Sequence, residues 1–131
     1  MKRYFLVLAI LAVGCFAFAA FAGQMITGTV TGTGTTSINV STGFVPDAVK
    51  VTNITNGTAR VMWWDKGMGA GHGAYINGTS GPKMIAVNGI TTYPGDSTHA
   101  AGFTIGKGTG SLTYMNQVNK TADTLSYEAY Q

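Results

Sequence analysis

Val49-Lys50-Val51-Thr52-Asn53-Ile54-Thr55, then Asn56-Gly57, then Thr58-Ala59-Arg60-Val61-Met62-Trp63-Trp64 is the stretch that decides the fold. Two runs rich in β-branched and aromatic residues flank an Asn-Gly pair, which tolerates the positive backbone angles of a two-residue primed turn. With Asn56 and Gly57 alone in the loop, Thr55 stands opposite Thr58, Val51 opposite Met62 and Val49 opposite Trp64. Opposite residues share a face, so Val49, Val51, Met62 and Trp64 form an inner surface. Lys50, Thr52, Val61 and Trp63 form the outer one, with the Lys50 chain beside the Trp63 ring. An outer face carrying Val61 and Trp63 is not an ordinary solvated face and calls for cover by a neighbouring subunit, a glycan or another partner.

The same grammar continues on both sides. Upstream, Ser37-Ile38-Asn39-Val40 and Gly43-Phe44-Val45-Pro46 open the ordered part. Downstream, a glycine-rich loop from Asp65 to Gly73 leads to Ala74-Tyr75-Ile76 and a second Asn-Gly at Asn77-Gly78. Lys83–Val87 reaches a third, Asn88-Gly89, and Ile90–Tyr93 runs into Pro94-Gly95. The last strands are Gly102–Gly106, Ser111–Tyr114 and Thr124–Tyr130; in the final one Leu125, Tyr127 and Ala129 alternate with Ser126, Glu128 and Tyr130. Nineteen glycines, abundant Thr, Ser and Asn, and no extended amphipathic helical pattern make this an all-β composition. Short strands at this spacing predict a single β-sandwich or jelly-roll-like domain over residues 37–131.

Before that domain lie two segments of different character. Lys2 and Arg3, an uncharged apolar run from Tyr4 to Phe21 and the small-x-small exit Ala20-Phe21-Ala22 before Gly23 form a secretory signal over residues 1–22, with cleavage at Ala22-Gly23. A retained membrane anchor is the alternative, since the run approaches bilayer length, and Cys15 after Ala12-Val13-Gly14 offers lipid attachment as a third. Membrane contact is expected through this segment alone. Residues 23–36 form a Thr/Gly-rich arm, an edge strand or spacer expected to order only when something pairs with it.

Loss of the leader leaves 131 − 22 = 109 residues, enough for one core. Of eight bases two leave with it, so the remainder carries 6 − 5 = +1. The bases that stay are scattered, and nucleic acid, which needs a clustered basic face, is not an expected partner. The only cysteine, Cys15, lies in the leader, so neither a disulfide nor a thiolate metal site is available to the domain.

Reactive groups are few. Asp96-Ser97-Thr98-His99 is the nearest to a constellation, but a triad is assembled in space from separate elements and rarely from adjacent residues. Asp65, His72, Asp96 and His99 would make a metal site only if two loops met. Gly67-x-Gly69-x-Gly71-x-Gly73 lacks the helix that a phosphate cradle needs and reads as a flexible surface loop. No enzyme, metal or cofactor is expected. The informative residues are the aromatics, and Lys50, Val61, Trp63, Tyr75 and Tyr130 are the candidate assembly or ligand contacts.

Gly43-Phe44-Val45-Pro46 leading into Val49–Asn53, the Trp63-Trp64 strand, Asn88-Gly89-Ile90-Thr91, Gly102–Gly106 and the closing Leu125–Tyr130 together resemble small β-proteins of tailed phages and prophages. The resemblance covers about Gly43 to Tyr130. It implies a capsid-decorating or other virion-surface domain, often oligomeric and without catalytic residues. The expectation is therefore an exported, non-enzymatic structural subunit that self-associates or joins a shell or filament on a virion or cell surface. A secreted carbohydrate-binding module, with Trp63 and Tyr75 stacking on sugar rings, is the alternative.

Overall fold

The structure is a computed structural model, and it describes residues 23–55, 60–77, 80–108 and 118–131. Met1–Ala22, including the expected cleavage positions Ala20 and Ala22, lie outside the described residues, as do the Asn56-Gly57 turn and the expected strand Ser111–Tyr114.

Among the described residues eight strands form: β1 Met25–Thr31, β2 Ile38–Ser41, β3 Ala48–Asn53, β4 Arg60–Asp65, β5 His72–Asn77, β6 Ser80–Tyr93, β7 Gly102–Ile105 and β8 Thr124–Tyr130. The all-β class read from the sequence holds. The strands are hydrogen-bonded as one antiparallel sheet in the order β1-β8-β3-β4-β5-β6-β7-β2, where the pattern suggested two stacked sheets.

That sheet must curl. Eight flat strands would hold β1 and β2 about 34 Å apart. The linker from Thr31 to Ile38 spans at most about 25 Å fully extended. Phe103 of β7 and Tyr127 of β8, five places apart in the strand order, meet edge to face with ring centroids 5.7 Å apart. The concave side is filled by Val49, Val51, Met62, Trp64, Tyr75, Ile85, Ile90, Phe103, Ile105, Leu125 and Ala129. Each is an inward position of its strand, and burial of this surface is the main stabilising term.

The β3–β4 pairing is the one the Asn-Gly reading requires: Val49 opposite Trp64, Lys50 opposite Trp63, Val51 opposite Met62 and Thr52 opposite Val61. Val49, Val51 and Met62 are fully buried and Trp64 nearly so.

One expectation is narrowed to the edge strand and two change. The arm forms β1, paired along its whole length with β8 of its own chain, Met25 opposite Tyr130 through Thr31 opposite Thr124. Its alternation of Thr and Gly with Ile26 and Val30 turns those two apolar side chains toward the core. The glycine-rich loop is tied to the core: Trp64 Nε1 donates to the Gly69 carbonyl at 2.7 Å, and Met68 packs on the buried cluster. Asn88-Gly89 lies inside one fourteen-residue strand, β6. There the partner of His72 is Ile90 but that of Gly73 is Ile85, so residues 86–89 bulge, with Asn88 at φ 57° and Gly89 N donating to the Gly71 carbonyl at 2.8 Å. The bulge lets β6 pair with β5 first and with β7 afterwards.

Candidate functional site

The convex side of the sheet carries two rows fixed by register. One runs Thr27, Glu128, Lys50, Trp63, Ala74, Met84 across β1, β8, β3, β4, β5 and β6, each residue directly opposite the next. The neighbouring row runs Thr29, Ser126, Thr52, Val61, Ile76. Both begin polar and end apolar. Val61, Trp63, Ala74, Ile76 and Met84 therefore adjoin on three strands, and Trp63, Ile76 and Met84 are 37%, 41% and 67% exposed. These five side chains make a contiguous apolar face turned away from the core.

Its polar border is an ionic chain. Lys50 Nζ donates to Glu128 Oε1 at 2.9 Å, so its ammonium is engaged on the β8 side of the strand, away from Trp63. Tyr130 Oη donates to Glu128 Oε2 at 2.5 Å. The Tyr130 hydroxyl and, after it, Lys50 hold the Glu128 carboxyl below its ordinary value, and the same carboxylate raises the Tyr130 phenol.

Of the five candidate residues, Lys50, Val61, Trp63 and Tyr130 stand on this outer side, Trp63 and Val61 within the apolar face and Lys50 and Tyr130 in its border. Tyr75 does not: it stands opposite Met62, shares that residue's inward face and is fully buried. A sugar platform built from Trp63 and Tyr75 together is thereby removed. Ala74, Ile76 and Met84 were not singled out by the sequence. The signal was the alternation around Tyr75, but it could be used only once the length of the Asp65–Gly73 loop had fixed the β4–β5 register.

The reactive residues do not gather. His72 Nδ1 lies 3.0 Å from the Ala70 carbonyl within its own turn. Asp96 Oδ1 accepts from Thr98 N and Oγ1, both at 2.7 Å, and from His99 N at 2.8 Å, closing one exposed turn with the His99 ring beside it. These donors, Thr98 first, hold the Asp96 carboxyl far below the usual carboxylate range. Among the described residues no three His, Cys, Asp or Glu side chains come together as a metal-binding group.

Comparison of the chain with family models, with curated proteins and with solved structures gives no match.

Proposed function

We propose that the chain is a non-enzymatic structural subunit, exported by its N-terminal leader, that assembles with copies of itself through the outer face of β4, β5 and β6. The observation that carries this reading is the apolar continuity of Val61, Trp63, Ala74, Ile76 and Met84 across three strands. An interface core of this kind is aromatic and depleted of charge, with polar residues at its rim. Lys50, Thr52, Glu128 and Tyr130 stand where that rim belongs. A stable contact needs about 800 Å² from each partner, so the five side chains serve as its centre and the border supplies the remainder.

The setting is an external particle or surface: a decorating subunit of a virion-like shell, a filament or a cell surface. The leader and the resemblance to phage and prophage surface proteins support this. Within the subunit, the two opposed halves of the curled sheet pack across one core in the manner of a sandwich or jelly roll. The few scattered charges favour lasting contacts over electrostatically steered encounters.

Ala74 lies at the middle of the face, so a thiol placed there reports a neighbouring copy. In a Cys15→Ser background, Ala74→Cys is the only thiol. Treatment of the purified protein with a short bis-maleimide yields covalent dimers from Ala74→Cys and none from Asn39→Cys on the far side of the sheet order. Equal yields from both positions, or none from Ala74→Cys, would refute the assignment of the face.

A further inference from the structure

A second feature lies on the outer surface where β6, β7 and β2 run side by side, three strands along the sheet order from β4. It is an open groove lined by Asn39, Tyr93, Pro94, Asp96, His99 and Thr104. Its floor is built by register. Asn39 stands opposite Thr104, and Tyr93 opposite Gly102. The Tyr93 hydroxyl donates to the Val40 carbonyl at 3.3 Å, so the ring crosses β7 to reach β2. It can do so because Gly102 has no side chain: a Cβ there would lie 3.0 Å from the Tyr93 hydroxyl. The wall is the Asp96–His99 turn.

The chemistry of the lining is selective. Thr104 Oγ1 donates to Asn39 Oδ1 at 2.8 Å, which orients the amide and leaves its NH₂ group as a donor on an exposed side chain. The donors that close the Asp96 turn converge on Oδ1, and Oδ2 meets only the edge of the His99 ring at 3.3 Å. One carboxylate oxygen therefore keeps acceptor capacity. Among the described residues no Lys or Arg lines the groove, so the only full charge facing an anion is the Asp96 carboxylate, which repels it, and a cation finds a single carboxylate with one oxygen already taken by three donors. Tyr93 and Pro94 supply an apolar surface beside this donor and acceptor. A ligand that fits is neutral, bears adjacent hydroxyls that both donate and accept, and has an apolar C–H face to lay on a ring.

We propose that this groove is a saccharide-binding subsite, with Tyr93 as the stacking platform and Asn39 and Asp96 as the hydroxyl contacts. It shares no residue with the apolar face, so it stands whether or not that face mediates assembly.

The test is a titration of the ¹⁵N-labelled protein with glucose, galactose, mannose, N-acetylglucosamine and short oligomers of each, followed by amide shifts. At least one sugar shifts residues of β2, β7 and the 94–101 loop. Tyr93→Ala weakens that binding about tenfold, equivalent to about 1.4 kcal/mol, and Tyr93→Phe preserves it because the ring remains. Asn39→Ala, at an exposed position, weakens it in a protein whose fold is undisturbed. Trp63→Glu leaves it unchanged. The absence of shifts with every sugar in the panel, shifts that map to β4 and β5, or binding unaltered by both Tyr93→Ala and Asn39→Ala would overturn the proposal.

Discussion

Trp63 and Tyr75 are aromatic residues on adjoining strands with opposite roles, and one step of alternation separates them. Tyr75 fills the core at zero exposure, whereas Trp63 lies on the convex side. Truncating a buried aromatic removes its transfer energy and leaves a cavity, so Tyr75→Ala lowers unfolding stability by about 3–5 kcal/mol. Trp63→Ala lowers that of the isolated subunit by about 1 kcal/mol or less. Urea denaturation of the two variants reads both values. Glu128 gives a pH signature. Its folded pKa is below the ordinary 4.5, so its contribution is present above that value and is lost as pH falls through the lower folded one. Tyr130 is raised above 10.0, so its share is present below that value and lost as pH rises through the higher folded one. The difference in melting temperature between wild type and Glu128→Gln is therefore level between these limits and shrinks on both sides. A difference that grew with acid would contradict the Tyr130–Glu128–Lys50 chain.

At the scale of elements, the same Asn-Gly dipeptide does two different things. Between β3 and β4 it predicts the pairing found on either side of it, because both flanking runs are long enough to pair with each other. At Asn88-Gly89 it makes a bulge, because the Gly89 amide is taken by the Gly71 carbonyl of the preceding loop and the Gly89 carbonyl accepts from Gly106. That outcome depends on two distant segments and is not encoded near the dipeptide. The Thr/Gly run is a similar case: its alternation permits a strand, but the partner, β8, is almost a hundred residues away. The polar centre that holds these distant pieces was not visible in the sequence at all. Asn119, fully buried, donates to the carbonyls of Thr36 and Gly106, both at 3.0 Å, and accepts from Thr33 N at 2.9 Å and Gly34 N at 3.3 Å. A lone Asn in a chain rich in Asn carries no mark of such a role. Asn119→Ala takes this partner from the buried Gly106 carbonyl and from the half-buried Thr33 and Gly34 amides, and lowers stability by about 3 kcal/mol. Asn119→Asp lowers it further, since an ionised carboxylate has no donor for the two carbonyls. Shifts in the urea midpoint measure both.

At the scale of the molecule, the link between β1 and β2 decides the shape. These strands are the two edges of the sheet, yet they are consecutive in the chain and joined by six residues, and that short tie bends the sheet around its core. Gly108 N donates to the Gly34 carbonyl at 2.7 Å, fastening the β7 end to the same linker. Curling gives every central strand one filled face and one outward face, and the outward face of β4, β5 and β6 is left apolar. The class of fold and the β3–β4 register could be read from local pattern, whereas closure and the full extent of the face required long-range pairing that no short stretch specifies. Sedimentation velocity over a range of protein concentrations, on wild type and on the Trp63→Glu, Met84→Glu double variant, tests the central claim most directly. The account predicts a wild-type oligomer and a variant that sediments at the mass of one chain with an unchanged far-ultraviolet circular dichroism spectrum. A wild-type protein that stays monomeric at every concentration, or a variant that keeps the oligomer, would contradict it.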